Sequence, residues 1–242
     1  MKCYVFFNGV KYSIMYSSKF ENFIAMWRDD FAIMKSIDEK ICADKDGNPL
    51  PWFTYPAIEY LGQFDYSDKS ILEFGCGYSS LFWARKAKFV LALETDAKWY
   101  QKWNKEFRED NLQIVYCENY MDAVNDTQTF DVIVIDGKNR QSCVDYAIRQ
   151  LNDGGIIILD DSDRVNSSEN YQQIIEKLKQ ENLLQVDFFG CCPMNNFTKT
   201  TSVFFRRNFN FNLVGKNQPV NGIGNLWGKT RKQRKEFYKN NS

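Results

Sequence analysis

The stretch Ile71-Leu72-Glu73-Phe74-Gly75-Cys76-Gly77-Tyr78-Ser79-Ser80 reads as a buried strand that breaks into a glycine turn and opens a helix. In α/β proteins this junction is where nucleotides bind. Gly75 and Gly77 lack the Cβ atoms that would keep a ligand away from the backbone, and either can take a positive φ at little steric cost. Ser79 and Ser80 are expected to cap a helix over residues 81–88, whose free N–H groups would suit a carboxylate or phosphate.

A G-x-G turn alone also serves purely structural ends, so its surroundings matter. A second apolar run over residues 89–93 ends at Glu94, about twenty residues past the turn, where a dinucleotide-type fold sets an acid on ribose hydroxyls. Ser80 stands where the third glycine of G-x-G-x-x-G would fall, which argues against a dinucleotide pyrophosphate over the helix.

Strands and helices alternate beyond residue 70. Helices are predicted over residues 97–108, 120–124, 141–151 and 171–180, and strands over 111–117, 183–190 and 200–206. Trp99, Trp103 and Phe107 share one face of their helix and read as core rather than as an aromatic binding box. The runs Val132-Ile133-Val134-Ile135 and Ile156-Ile157-Ile158-Leu159 are apolar throughout, which implies burial on both faces and hence a parallel sheet covered by helices. Ligands of such sheets bind at the carboxyl edge of the strands, where Glu73, Glu94, Asp136 and Asp160 all fall.

The flanks read differently. Residues 1–69 open with mixed aromatics, pass through a helical stretch near residues 20–41, and reach a segment over 50–61 that Pro51 and Pro56 should keep stiff and extended. That segment, with Trp52 and Thr54, would either wall the site or strap the amino-terminal helix onto the sheet. The tail from Lys229 carries six basic residues against Glu236 and is expected to be solvated and partly disordered.

Lysine plus arginine and aspartate plus glutamate both number 31, so the chain of 242 residues has no formal net charge and nothing overall demands nucleic acid or membrane. No apolar run approaches the ~20 residues that span a bilayer. The amino terminus lacks the pattern of a signal peptide. The seven cysteines have no C-x-x-C spacing, which fits a reducing compartment, and a cytoplasmic location is expected. With no histidine in the chain, Cys76 has no imidazole base and reads as a small packing residue; Ser-His-Asp hydrolysis and His-ligated zinc are excluded.

The set Glu73-x-Gly75-x-Gly77, Glu94, the strand ending in Asp136, and Asn152-Asp153-Gly154-Gly155 before a strand ending in Asp160-Asp161 resembles the class I S-adenosylmethionine-dependent methyltransferases. The resemblance implies a Rossmann-like α/β fold: a seven-stranded, mostly parallel sheet with helices on both faces, strand seven antiparallel between strands five and six. It implies a methyltransferase domain over residues 70–207, after an amino-terminal helical cap or substrate-side segment (1–69) and before a basic tail (208–242). S-adenosylmethionine would then be the cofactor. Glu73, Gly75, Cys76, Gly77, Ser79 and Ser80 would surround its methionine part, with Trp52 and Thr54 nearby. Glu94 and Thr95 would meet the ribose and Asn119 and Tyr120 the adenine, and Asp136 is also a cofactor-binding candidate.

Methyl transfer requires a placed nucleophile and a group to take its proton. The catalytic candidates are Asp136, with Lys138 or Arg140 gripping an anionic substrate group. Asp136, Asp160 and Asp161 are also similar to the ion-binding set of metal-dependent catechol and caffeoyl-CoA type O-methyltransferases, with Asp161 in place of an asparagine, so magnesium or another divalent cation is a candidate cofactor. That family's lysine lies three residues past its first acid, where this chain has Asn139. Without a metal, Asp136 would act as base or orienter. The expected acceptor is a small-molecule or sugar hydroxyl. A nicotinamide oxidoreductase and a non-catalytic cofactor-binding module are the other readings, and a homo-oligomer is compatible with all three. A nucleic-acid acceptor is disfavoured, because Ile135-Asp136-Gly137-Lys138 is no N-P-P-Y motif and basic residues are concentrated in the tail.

Overall fold

The computed structural model describes residues 2–7, 10–15 and 18–240; residues 1, 8, 9, 16, 17, 241 and 242, at the outer ends of the expected cap and tail, lie outside them. An antiparallel hairpin of β1 (Lys2–Phe7) and β2 (Val10–Met15) comes first. Helices α1 (Ser18–Ala25) and α2 (Ile33–Glu39) follow, joined by a π-helical turn at Met26–Asp30, and then α3 (Tyr55–Leu61). The main body alternates: β3 (Ser70–Phe74), α4 (Tyr78–Ala84), β4 (Phe89–Glu94), α5 (Ala97–Glu106), β5 (Leu112–Tyr116), α6 (Tyr120–Ala123), β6 (Phe130–Ile135), α7 (Arg140–Gln150) and β7 (Leu151–Leu159). It closes with α8 (Glu169–Gln180), β8 (Leu184–Cys191) and β9 (Thr198–Phe205), and α9 (Arg231–Asn240) follows.

The seven-stranded sheet has the order β5-β4-β3-β6-β7-β9-β8. Strands β3 to β7 run parallel, and β9 lies antiparallel to both β7 and β8. This is the topology that the family resemblance implies. From β3 the chain first builds outward through β4 and β5, then returns to place β6 on the other side of β3. The direction of winding therefore switches between β3 and β6, which opens a crevice at their carboxyl ends.

Successive strand residues point to opposite faces, and in β3, β4, β6 and β7 both faces are buried. Ile71, Val90, Val132, Val134, Ile156 and Ile158 pack against α3 and α4, whereas Leu72, Phe74, Ile133, Ile135, Ile157 and Leu159 pack against α6, α7 and α8. Each such fully buried apolar side chain contributes about 1.5–3 kcal/mol through burial. The amino-terminal helices join this body through stacked Trp27 and Phe31, ring centroids 4.5 Å apart, with Phe31 edge-on to Tyr55 at 4.7 Å.

Several local expectations change. The segment over residues 50–61 is not extended throughout: from Tyr55 it is helix α3, because Pro56 lies in the first turn, where its missing N–H would have no intrahelical partner. The stretch near 20–41 is broken by Ala32, whose φ of 51° is left-handed. The helix after the glycine turn starts at Tyr78, so Gly77 is its N-cap, and Ser79 and Ser80 lie inside its first turn. The basic tail contains α9, begun by a reciprocal cap: Thr230 Oγ1 accepts from the Gln233 N–H at 3.3 Å, and Gln233 Oε1 accepts from the Thr230 N–H at 2.8 Å.

Candidate functional site

At the switch between β3 and β6 lies a cleft of about 1100 Å³. Two loops meet at its floor. Gly75 has φ +111°, and a Cβ there would lie 3.1 Å from the Gly137 nitrogen and 3.2 Å from its Cα, so only glycine fits both the dihedral and the gap. A Cβ on Gly137 would in turn collide with the Tyr120 hydroxyl. Gly77 differs: its φ of 169° is ordinary extended backbone, and a Cβ there meets nothing within 4 Å. Its bareness leaves open space beside the loop rather than meeting a backbone requirement.

One half of the cleft is built on buried carboxyls and loop amides. Glu73, at 1 % exposure, accepts a hydrogen bond from Ser80 Oγ, which itself accepts from the Gly77 N–H at 3.1 Å. Burial pushes the Glu73 carboxyl up to about 8, against hydrogen bonds from Ser79 and Ser80 that act to lower it. Glu94 accepts from the Cys76 N–H at 3.1 Å and the Asp96 N–H at 2.7 Å, which ties the end of β4 to the glycine loop. Each carboxylate oxygen retains a lone pair for a ligand hydroxyl. Trp99 donates its indole N–H to the Cys76 carbonyl at 2.5 Å and lines the cleft with 41 % of its surface exposed.

The other half is a cluster of opposite charges. Asp160 is buried at the end of β7 and Asp136 partly buried at the end of β6; desolvation raises both carboxyls, Asp160 to about 7. Arg140 donates to Asp136 at 2.8 Å and to Asp161 at 3.2 Å. Lys199, the second residue of β9, donates to Asp160 and, at 3.0 Å, to Asp161. Arg164 reaches Asp161 at 2.9 Å, and Thr201 Oγ1 donates to Asp160 at 2.7 Å. Although burial opposes its charge, the three carboxylates hold the Lys199 ammonium above its ordinary range.

The ligand oxygens of Asp136, Asp160 and Asp161 lie within 4.8 Å of one another, close enough to hold an ion. Their charge is already met, however. Counted as fully ionised, three carboxylates face Lys199, Arg140 and Arg164, so a divalent ion would add two uncompensated charges. If Asp160 or Asp136 carries a proton, the excess grows. The donor set as folded does not fit a divalent metal.

Of the residues singled out in the sequence, Trp52, Glu73, Gly75, Cys76, Ser79, Glu94, Asp136, Lys138, Arg140, Asp160 and Asp161 all line the cleft. Others do not. Thr54 is fully buried, its hydroxyl donating to the Phe188 carbonyl at 2.9 Å, so the 50–61 segment sends Trp52 to the cleft while Phe53 and Thr54 strap the core. Ser80 stands behind the loop, and Tyr120 lies beneath Gly137. Thr95 is half-buried outside the lining, and Asn119 is exposed, capping α6 through the Met121 N–H at 3.3 Å. Lys138 is exposed and pairs with Asp96 at 3.1 Å. Arg140 is spent on carbonyls and carboxylates of neighbouring strand ends, which makes it a strut rather than a free grip for substrate.

Sequence reading missed Asp96, Trp99, Asn195, Phe197 and Lys199, all in the lining. The helical pattern assigns Trp99 to the core with Trp103, yet only Trp103 is buried. Cys42, Cys76, Cys117, Cys143, Cys191 and Cys192 are free, and among the described residues no helix is long and apolar enough to cross a membrane.

No family model matches the sequence, and no curated protein matches it. Among solved structures, the chain is similar to cofactor-bound Rv0187 from MTB, with a TM-score of 0.51 and 16% identity over 81% of this chain and 99% of that one. It is also similar to a candidate O-methyltransferase from Klebsiella pneumoniae, with a TM-score of 0.50 and 19% identity over 63% of this chain and 77% of the other. With the sheet order above, this likeness shows that the chain has the class I methyltransferase fold.

Proposed function

We propose that this protein is an S-adenosylmethionine-dependent methyltransferase that acts on a hydroxyl of a small molecule or sugar. The observation that carries this reading is the convergence of the Gly75 loop, Glu94 and Asp136 on one cleft at the switch point. S-adenosylmethionine, when bound, supplies a methyl carbon on a positively charged sulfur. Glu94 is suited to its ribose diol, and the open space at Gly77 and the Ser79 side chain to its methionine end. Asp136 stands toward the acceptor.

Asp136 would take the proton of the acceptor hydroxyl as its oxygen receives the methyl group that bound S-adenosylmethionine supplies. Burial raises Asp136, which makes its ionised form a better proton acceptor. Two of the three Lys199 N–H donors are engaged, which leaves one for the acceptor oxygen. Trp52 and Phe197, 41 % and 61 % exposed, give the cleft aromatic faces suited to a sugar or another ring. Residues 1–69 serve as the substrate-side cap in this reading, and the free cysteines suit the cytoplasm.

Calorimetric titration with S-adenosylmethionine and, separately, NADH tests it, each with and without magnesium. Saturable binding of S-adenosylmethionine alone is expected. Binding of NADH instead would transfer the site to an oxidoreductase, and binding of neither would leave a non-catalytic module.

A further inference from the structure

We infer that Lys199 is a built-in cation that takes the place of a divalent ion, so that the acceptor half of the cleft works without metal. Its meaning for methyl transfer rests on the function proposed above, whereas its test does not. Three carboxylates converge within 4.8 Å, a spacing that suits an oxygen-ligated ion. The ammonium of Lys199 already bridges two of them, its side chain 7 % exposed at the cleft wall. A compact ammonium is a point charge of the size that such a cage accommodates.

The position is built into the fold. Strand β9 is antiparallel, so it enters the sheet at the edge where the parallel strands leave, and its second residue arrives beside the ends of β6 and β7. Thr201, two residues on and on the same face, holds Asp160 from below. Arg140 closes the other side by pairing with Asp136 and Asp161. The carboxylates are therefore shared among fixed cations, as ligands of an ion would be shared by the ion.

Removal of the ammonium should create the site it replaces. The full chain and its Lys199→Ala variant are titrated with Mn²⁺ alone, followed by electron paramagnetic resonance of the free ion and by thermal denaturation. The wild type is expected to bind no Mn²⁺ at the cluster. Lys199→Ala is expected to gain one saturable site, about tenfold or more tighter than any wild-type binding, with Mn²⁺ raising its midpoint; a further Asp160→Asn change abolishes the gain. Lys199→Arg, which keeps the charge, should gain nothing. Saturable wild-type binding lost on Asp160→Asn overturns the inference, as does Lys199→Ala that folds without gaining a site. If Lys199→Ala does not fold, Lys199→Gln replaces it under the same criteria. Titration of the same proteins with S-adenosylhomocysteine is the separate check: failure there bears on the proposed function, not on Lys199.

Discussion

Replacing Glu73 with glutamine should flatten the pH dependence of stability in a defined window. Glu73 is fully buried at the end of β3, and burial raises its carboxyl from 4.5 to about 8. Between those values the folded chain keeps a proton that the unfolded chain has lost, so stability falls as pH rises. The interval spans about 3.5 pH units at about 1.36 kcal/mol each, so Glu73 removes up to about 5 kcal/mol on going from acid to alkaline solution. Glutamine keeps the shape and the acceptor for Ser80 Oγ but has no proton to lose. Urea unfolding of both proteins from about pH 5 to about pH 8.5 should show near-equal stability at the acid end, then a gap widening in favour of Glu73→Gln by roughly 1.4 kcal/mol per pH unit until about pH 8. Asp160 and Asp136 are raised as well, but both proteins contain them and their contributions largely cancel in the difference. Parallel curves across the window would mean that Glu73 ionises normally, and the reasoning from its burial would fail.

Gly75→Ala should lower stability by about 1–3 kcal/mol, from the forced φ and the contact with Gly137, and weaken S-adenosylmethionine binding; unchanged midpoint and affinity in thermal denaturation and calorimetry would displace the loop from the site. Trp99→Phe should abolish most of the tryptophan fluorescence change that S-adenosylhomocysteine causes, and weaken its binding about three- to tenfold through loss of the hydrogen bond to Cys76. An unaltered signal would place the ligand elsewhere. Thr230→Ala should cost α9 about 1 kcal/mol at its first turn, seen as about fivefold faster amide exchange at Gln233, and equal exchange would mean that the cap contributes nothing.

The parts of the cleft that were legible in the sequence are those attached to strand ends. Glu94 and Asp136 each follow an uninterrupted apolar run, Glu73 and Gly75 lie at the end of the short strand Ile71-Leu72-Glu73-Phe74, and parallel topology makes such positions neighbours. Lys199 carries no comparable signal, because it stands at the beginning of a strand and acquires its place only through the reversed direction of β9. Trp99 has the same helical spacing as the buried Trp103, so periodicity cannot tell the two apart; the nearby Cys76 carbonyl decides it. Thr54 went the other way. Its neighbours Pro51 and Pro56 signal a stiff segment correctly in part, but which side chain turns inward depends on the Phe188 carbonyl and Thr201 on distant strands. The helix in the basic tail was written locally as Thr230-x-x-Gln233, a reciprocal cap outweighed in reading by the run of like charges.

The placement of β9 also governs what can go wrong while the chain is being made. The last strand of the sheet in sequence fills an interior position, between β7 and β8. Until residues 198–205 emerge and insert, the backbone edge of β7 is unpaired along Ile156-Ile157-Ile158-Leu159, a row of fully buried side chains in the finished protein. Such an open, apolar edge is a template for pairing with another chain. A product truncated before Thr198 would keep that edge for its lifetime, so premature termination late in this sequence should yield aggregates rather than a smaller folded protein.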